Sequence, residues 1–518
     1  MTHFNSLRCF SGAALLFVVA AFHAATFSPA AYSQASDHSP AVFEQSPLSA
    51  SILMARAISQ GRIQPPGFHR FGQELGSAGS MPPVLDCTPV PCAVNNQQAS
   101  EGGMPVNDTP ITGNLLNLDQ LLSGGADYNC PQLASFYFSS DGGSTWNVHC
   151  SDVLPAFPVG NGGPGVAFDL NNVAYATTVK TSTSGTTGVI ALQTSSDRGV
   201  TWSAIAEAVS SALGGLSDGA WMQIDNSSTS PRANSIYIST TQFNKSETQS
   251  EIWAAHSTDR GATFTDVAVS PRSVLPKVVQ FSNLATAANG TVYVTWLACT
   301  ANGPTGNCGG TSAELLFSAS SDGGTTWSKQ AVMAKTDLAP DACSCAYYGS
   351  LPNTSEPMSN IPVIAVDDTT GPKARTLYVT YYNWTGTFTQ VEVISSANGG
   401  ATWSAPSQPA PPSDTHDQFF PWIGVSDTSK VGVTWLDRRN DPANISYESF
   451  SGDSSNGVTF SDVQLAPELS NPFNDGFGGT FLGDFAGNIW TQKTLYAAWP
   501  DTRSGINAQN EVGGLRVH

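Results

Sequence analysis

Beyond residue 104, apolar and polar positions alternate in short runs along the whole chain. Leu133–Phe138, Val189–Thr194 and Leu315–Ala319 are such runs, each five or six residues long and each followed directly by serine. A two-residue period over this length is typical of β-strands, whose successive side chains point to opposite faces. One stretch, around Leu53 to Ile63, instead predicts a short helix. The pattern as a whole predicts an all-β fold.

These runs lead into a repeated turn, first seen as SSDGGSTW. An aspartate at the head of a tight turn can accept hydrogen bonds from the backbone N–H groups that follow it, and glycine supplies a positive φ. The final tryptophan or phenylalanine brings apolar bulk to the packing between sheets. A sixth copy, Ser451–Phe460, has two extra residues, with Asp453 as its aspartate. The five regular copies are Ser139–Trp146, Ser195–Trp202, Ser257–Phe264, Ser320–Trp327 and Ser396–Trp403, the last with Asn398 in the aspartate place.

The aspartate positions of the six turns lie 55 to 76 residues apart, a spacing that suits one four-stranded blade per repeat. The turns resemble the Asp-box, or bacterial neuraminidase (BNR) repeat, and residues 104–518 resemble the sialidase-like β-propeller superfamily. We therefore expect a six-bladed β-propeller of four-stranded antiparallel blades with Asp-box turns, in which the two chain ends complete one blade. A separate final blade would give seven. A closed ring leaves no open sheet edge.

The first 103 residues differ from this pattern. Arg8 precedes an apolar run, Ala13–Phe22. The small residues Ser33 and Ala35 suit cleavage by signal peptidase after Ala35, so residues 1–35 are predicted to be a signal peptide. An earlier cut near Ala25 is the alternative. Residues 36–103 are rich in Pro, Ser, Ala and Gln and are expected to form a linker or a poorly ordered arm. The signal peptide predicts a secreted or periplasmic protein.

Eight cysteines follow the signal peptide, and an even number in an exported chain suggests disulfides. No paired CxxC motif or His-rich tract supports structural zinc. A calcium loop needs oxygen ligands at alternating positions, where the repeated turn has glycine and small residues. No cofactor is therefore expected, and no motif supports calcium. Local pairing, which the short separations favour, would join Cys87 with Cys92, Cys130 with Cys150, Cys299 with Cys308, and Cys343 with Cys345.

Charge narrows the range of partners. The chain has 21 basic and 40 acidic residues, and its net charge of −19 repels nucleic acid and anionic lipid at long range. No run after the signal approaches the roughly 20 apolar residues that a membrane-spanning helix needs. A glycan or glycoconjugate partner is expected, with no nucleic acid and no membrane span, and the protein is expected to be a monomer. Only 12% of residues are charged, so any cluster of ionisable side chains stands out.

Such a cluster occurs near the end of the chain. Because strands in a blade alternate in direction, the connections from strand two to three and from blade to blade lie opposite the repeated turns. The sequences WLDRR and WPDTR are two such connections in consecutive blades. Paired carboxylates could divide the acid and the base or nucleophile roles in glycoside cleavage, while arginines could bind a carboxylated sugar. The candidate catalytic residues are His416, Asp417, Asp437, Asp484 and Asp501, and the candidate substrate-binding residues are Arg438, Arg439, Arg503 and Trp422.

A structural role competes with the catalytic one at several of these positions. A catalytic group normally occurs once, whereas Trp-x-Asp-x-Arg occurs twice, which favours a structural salt bridge in both copies. His416 could equally be a hydrogen-bonding loop residue. Packing between blades competes with sugar stacking for Trp422.

The resemblance implies a secreted sialidase-like glycoside hydrolase of the exo-sialidase type, acting at the propeller face opposite the Asp-boxes. Similar sialidases hold the substrate carboxylate with three arginines, the first in a Phe/Tyr-Arg-Ile-Pro motif before the first box. This chain has no Arg or Lys between Arg70 and Lys180, and a full arginine triad is not identifiable. The alternative is a non-catalytic Asp-box propeller that binds glycan or protein across the same face.

Overall fold

The computed structural model describes residues 45–63, 87–303, 306–491, 493–503, 505 and 507–517. The predicted signal peptide lies outside these residues. In the described part of the chain, 30 strands form seven antiparallel sheets, and the helices are α1 (Ala50–Ser59) and a short 3₁₀ helix (Pro472–Asn474). This content confirms the all-β prediction.

The first strand, β1 (Cys92–Gln98), belongs to the last blade, and blades 1 to 3 follow it in the chain. Blade 1 consists of β2 (Val106–Asn107), β3 (Ile111–Gly113), β4 (Leu121–Asp127), β5 (Ser135–Ser139) and β6 (Asn147–Cys150). Blade 2 consists of β7 (Val159–Gly160), β8 (Gly165–Phe168), β9 (Ala174–Thr181), β10 (Gly188–Ser195) and β11 (Ala206–Val209). Blade 3 consists of β12 (Gly214–Ile224), β13 (Ile236–Asn244), β14 (Gln249–Ser257), β15 (Thr265–Ala268) and β16 (Ser273–Val274).

Blades 4 to 7 have fewer strands each. Blade 4 consists of β17 (Lys277–Thr286), β18 (Val292–Thr300), β19 (Ser312–Ser320) and β20 (Ala331–Asp337). Blade 5 has three strands, β21 (Val363–Val366), β22 (Leu377–Trp384) and β23 (Thr389–Ser396). Blade 6 consists of β24 (Gln418–Val425), β25 (Val431–Asp437), β26 (Glu448–Ser454) and β27 (Ser461–Gln464). Blade 7 consists of β28 (Gly487–Thr491), β29 (Thr494–Asp501), β30 (Gln509–Arg516) and β1.

The innermost strands form a closed ring. In order around it, each of β3, β8, β12, β17, β21, β24 and β28 contacts the next, and β28 contacts β3. The protein is therefore a seven-bladed β-propeller, and the expectation of six blades is wrong. Blade 1 has its own strands before the first repeated turn, while the C-terminal strands form a further blade that carries no such turn. The chain ends do share that blade, because β1 pairs antiparallel with β30, with Cys92 opposite Arg516.

Two of the described elements, α1 and β1, lie within residues 36–103, the segment interpreted above as a linker or arm. The strand β1 is a structural part of blade 7, since its pairing with β30 closes the ring. The helix α1 belongs to no sheet.

The repeated turns follow one strand in each of blades 1 to 6, namely β5, β10, β14, β19, β23 and β26. In the first, Asp141 accepts hydrogen bonds from the backbone N–H of Thr145 at 2.9 Å and from its hydroxyl at 2.7 Å. The next three turns repeat this arrangement. In the sixth, Asn456 accepts from two following backbone N–H groups, whereas Asp453 binds Lys430 at 2.9 Å. Asn456 thus has the role that the sequence analysis gave to Asp453.

Four disulfides join the cysteines that are nearest in sequence, as local pairing predicted: Cys87–Cys92, Cys130–Cys150, Cys299–Cys308 and Cys343–Cys345. Disulfides persist in oxidising compartments, which indicates a location outside the cytoplasm. Within the described ranges, no helix has the length and apolar character needed to cross a bilayer.

Candidate functional site

Three carboxylates line one pocket at the centre of the ring. Asp108 precedes β3 in blade 1, Asp218 lies in β12 of blade 3, and Asp484 precedes β28 of blade 7. All three are buried, with at most 5% of each residue exposed. Because neighbouring strands are antiparallel, the starts of the innermost strands lie on the face opposite the repeated turns. This pocket, called the channel mouth below, is therefore on the face where the sequence predicted a site.

The N-terminal end of α1 occupies the channel mouth. The backbone N–H and the hydroxyl of Ser49 donate to the Asp218 carboxylate, both at 2.7 Å. The N–H groups of Ala50 and Ser51 donate to Asp484 at 3.2 and 2.9 Å, and the Ser51 hydroxyl donates to the third carboxylate. First-turn N–H groups have no partner inside a helix, and negative charge is favourable beside them. Asp218 and Asp484 therefore cap α1, and Asp108 binds a side chain of its first turn.

Aromatic side chains line the other side of the mouth. Trp221 and Phe485 meet edge to face with 4.4 Å between ring centroids, and Trp422 of blade 6 lies 5.0 Å from Trp221. With α1 in place, a cavity of about 30 Å³ remains in the mouth. Apolar walls with a few convergent polar groups are typical of small-molecule sites.

Burial separates the acidities of two of the carboxyl groups. It raises the pKa of Asp108 to about 8, and the negative charge of Asp484 adds to this effect. Burial also raises the pKa of Asp218 to about 6, although hydrogen bonds from Ser49 and Gln280 oppose the shift. At neutral pH, Asp108 is therefore mainly protonated and Asp218 mainly ionised. Two carboxyl groups with separated pKa values can act as an acid and a base.

Asp417 and Arg438, both sequence candidates, form a buried ion pair in blade 6. The Arg438 Nη1 lies 3.4 Å from Asp417 Oδ2, and neither side chain is exposed. The guanidinium also donates to two backbone carbonyl groups. Glu356 lies close to Arg438, and burial, with the negative charge of Asp475, raises the pKa of its carboxyl group well above the usual range. Both partners of the pair are thus engaged inside the protein.

The two Trp-x-Asp-x-Arg segments form the same local unit. In blade 6, Trp435 Nε1 donates to Asp437 Oδ2 at 2.7 Å, and Arg439 Nη2 lies 2.6 Å from that oxygen. In blade 7, Trp499 Nε1 donates to Asp501 Oδ2 at 2.9 Å, and Arg503 Nε lies 2.6 Å from the same oxygen. Arg439 also binds Asp462 at 2.5 Å. Each arginine is therefore neutralised by its own aspartate, as a repeated structural unit requires.

Blade 7 nevertheless has an open cleft beside its copy of this unit. Asp501, Arg503, Glu511 and Gln98 line a space of about 370 Å³. Arg503 Nη2 lies 3.3 Å from Glu511 Oε1. Burial raises the pKa of Glu511 to about 8, with a contribution from the charge of Asp501. This cleft is polar and lies outside the ring centre.

His416 lies in the loop before β24 and is partly exposed. Its Nδ1 is 3.1 Å from Asp414 Oδ1, two residues earlier in the same loop. Of the nine sequence candidates, all of which the structure describes, Asp484 lines the channel mouth and Trp422 contacts its aromatic side. The remaining candidates lie in blades 6 and 7 away from the mouth lining.

Sequence reasoning missed Asp108 and Asp218. An acidic residue three positions before the innermost strand of a blade is a feature that Asp108 shares with Asp484, and a search for it would have found Asp108. Asp218 lies inside β12, beside a shift in strand register between Asp218 and Trp221. No local pattern marks such a position, because the bulge depends on pairing with β13.

One group of potential metal ligands occurs among the described residues, where a carboxylate oxygen of Asp341 lies within 4.8 Å of the sulfur atoms of Cys343 and Cys345. Both sulfur atoms are engaged in the disulfide, and the Asp341 carboxylate accepts hydrogen bonds from the backbone N–H groups of Cys345 and Ala346. Only deprotonated thiols bind metal, so this group does not fit a metal site in its oxidised form.

No protein-family model and no curated protein matches this chain. Among solved structures, a polysaccharide lyase of family PL25, an ulvan lyase, has 10% identity and a TM-score of 0.49, over 80% of this chain and 96% of its own. The Hadza microbial sialidase Hz136 has 13% identity and a TM-score of 0.41, over 68% of this chain and 65% of its own. The α-L-arabinofuranosidase Arb93A from Fusarium graminearum has 11% identity and a TM-score of 0.39, over 68% of this chain and 92% of its own.

Proposed function

We propose that the protein is an exported, carbohydrate-active propeller that hydrolyses glycosidic bonds at the channel mouth. The observation that carries this proposal is the convergence of Asp108, Asp218 and Asp484 beside Trp221 and Phe485 in one pocket. Carboxyl groups supply the acid and base of most glycoside hydrolases. Aromatic rings bind the apolar faces of sugars, as they do other flat apolar surfaces.

A substrate that sits in place of α1 would bury the same carboxyl groups, and the pKa values of the α1-docked mouth then suggest the division of labour. Asp108, protonated at neutral pH, would donate its proton to the oxygen of the leaving group as the glycosidic bond breaks. Asp218, mainly ionised, would remove a proton from the attacking water or attack the sugar itself. Asp484 would help to keep Asp108 protonated, since its negative charge opposes ionisation of its neighbour.

The lining favours a neutral sugar over a carboxylated one. No arginine or lysine is among the described residues that line the mouth. Arg438, Arg439 and Arg503 are each paired with a carboxylate elsewhere in the molecule. A sugar carboxylate would therefore meet negative groups without a cationic partner, at a cost in free energy. Exo-sialidase activity is accordingly a less favoured form of this proposal than hydrolysis of neutral glycosides.

A panel of fluorogenic neutral glycosides and one sialoside tests the proposal, both on the intact chain and after the segment that carries α1 has been cleaved off and removed. We expect turnover of a neutral glycoside that falls about a hundredfold or more in Asp108→Asn and in Asp218→Asn. Asp119→Asn, which neutralises an exposed carboxylate of blade 1, is the matched control and should keep full activity. Undiminished turnover in both mouth variants, or preference for the sialoside, would contradict this assignment.

The alternative is a propeller that binds glycan without cleaving it. Each mouth carboxylate already accepts hydrogen bonds from neutral donors, which is the arrangement a binding site for sugar hydroxyls also needs. Saturable binding of an unlabelled oligosaccharide, with no turnover of any glycoside in the panel, would favour this function.

A further inference from the structure

Residues 45–63, called the N-terminal segment below, lie against the channel mouth, and residues 46–57 of this segment are buried as a core element would be. Leu48, Ile52, Leu53 and Met54 are each at most 4% exposed. They pack in a cluster with apolar residues of blades 1, 2 and 3, including Val179 and Leu216. Apolar contacts of this extent stabilise a docked peptide by the same effect that stabilises a protein core.

The polar contacts of the segment extend beyond the three mouth carboxylates. The carbonyl of Pro47 accepts a hydrogen bond from the Tyr348 hydroxyl at 2.7 Å. Arg56 and Ser46 both bind the Glu247 carboxylate, at 2.6 and 2.5 Å, in the loop between the second and third strands of blade 3. The segment is therefore held from several blades on one face.

The propeller is nevertheless complete without the N-terminal segment. Among the described residues, every hydrogen bond from the segment to the propeller uses a side chain on at least one partner, and no disulfide joins the two. The ring is closed by β1 and β30, which lie after the segment in the chain. Residues 64–86 connect α1 to Cys87, so one cut there would separate the segment from the complete ring.

The groups that the segment presents to the mouth are those a sugar would present. Ser49 and Ser51 each offer a hydroxyl and an N–H, and Ala50 offers a further N–H, to the carboxylates of Asp218, Asp484 and Asp108. Hydroxyl groups of a neutral sugar are donors of the same kind. A substrate and the segment would thus compete for the same acceptors in the same space.

We infer that the channel mouth is a docking site for the chain's own N-terminal segment, which excludes other ligands from the three carboxylates until it leaves. The regulatory part of this inference rests on the proposed function. The docking part rests only on the contacts between the segment and the propeller. It assigns the mouth a peptide ligand whose recognition depends on Ser49, Ser51 and the apolar face of α1.

The test uses the full chain with residues 76–80 replaced by the recognition sequence of a specific protease. After cleavage, the N-terminal fragment is removed by gel filtration at a low urea concentration, and the cleaved but unseparated protein is the control. Carbodiimide with glycinamide then labels accessible carboxylates, which mass spectrometry locates. We expect labelling at Asp108, Asp218 and Asp484 to rise about tenfold after removal, while hydrogen exchange in β13 and β29 stays slow.

A synthetic peptide of residues 45–63 should restore protection when added to the separated propeller. The same peptide with Ser49→Ala and Ser51→Ala should bind about tenfold or more weakly, because it loses two hydroxyl donors to buried carboxylates. In the uncut chain, Leu53→Glu should also expose the three carboxylates, whereas Ser59→Glu, on the exposed end of α1, should not.

The inference is overturned if removal of the fragment unfolds the blades, if the carboxylates are labelled equally before and after removal, or if the peptide does not rebind. Exposure and rebinding without glycoside turnover would support the docking site and count against the proposed function alone. Turnover that rises after removal and falls again with peptide would support both.

Discussion

At the scale of single residues, ion pairs account for most of the charged side chains that the sequence singled out. Arg439 contacts Asp437 at 2.6 Å and stacks over the Phe450 ring with 4.0 Å to its centroid. In blade 7, Glu511 lies opposite Trp499, as Phe450 lies opposite Trp435 in blade 6. The repetition of Trp-x-Asp-x-Arg in the sequence was thus a correct indication of a repeated local structure, and the partners from other strands differ between the copies.

Arg439→Met tests whether this unit is structural. Asp437 is fully buried, so loss of its cation should leave an uncompensated charge and lower the free energy of unfolding by about 3 kcal/mol or more. Lys335→Ala, which removes the exposed pair with Glu314, should cost less than about 1 kcal/mol. Urea unfolding followed by tryptophan fluorescence measures both. If both substitutions lower the free energy of unfolding by the same small amount, the buried Asp437 carboxylate does not need the Arg439 cation for stability.

At the scale of elements, β1 is the strand that sequence reasoning could not assign. Its sequence, CAVNNQQ, is mostly polar, and of its seven residues only Val94 is fully buried. Its partner β30 lies more than 400 residues later in the chain, with Val94 opposite Gly514. A strand at the outer edge of a blade needs few apolar residues, and pairing over such a distance leaves no local pattern. The error in the blade count has another source, because blade 1 has its own strands, β2 to β4, before the first repeated turn.

Val94→Asp tests the contribution of β1 to ring closure. A carboxylate at this buried position should lower the free energy of unfolding by about 2 to 4 kcal/mol. Asn95→Asp adds the same charge at the neighbouring exposed position and should change it by no more than about 0.5 kcal/mol. Thermal unfolding of the two variants provides the comparison. Indistinguishable midpoints would argue that β1 adds little to the closed ring.

At the scale of the whole molecule, buried carboxyl groups couple stability to pH. Burial raises the pKa of several of them, and in the folded state these groups keep protons that the unfolded chain releases above about pH 4. Protonation therefore favours folding, and the contribution is lost as pH rises towards each folded-state value. Lys180, whose pKa burial lowers to about 7, opposes this trend only above that pH. The carboxyl groups with the largest such shifts include Asp218 and Asp266 at about 6, Asp368 at about 7, and Asp108 and Glu511 at about 8.

Between pH 5 and pH 7, the free energy of unfolding should accordingly fall. Asp108 alone can contribute up to about 1.4 kcal/mol per pH unit in this range, since its folded-state pKa lies above the range and its unfolded-state pKa below it. Asp108→Asn should reduce the slope, and Asp119→Asn should leave it unchanged. His149 and His256, whose pKa values burial lowers, act in the opposite direction and are common to all three proteins. A slope identical in Asp108→Asn and the parent would contradict this account.

The sequence by itself determined the all-β class, the repeated turns and the local disulfides. All of these follow from contacts between residues near one another in the chain. The tertiary structure decided the seventh blade, the identity of the three central carboxylates and the presence of α1 against them. Those features join residues up to 434 positions apart, as between Ala50 and Asp484. Closure of the ring alone brings such residues into contact, and no local pattern in the chain records it.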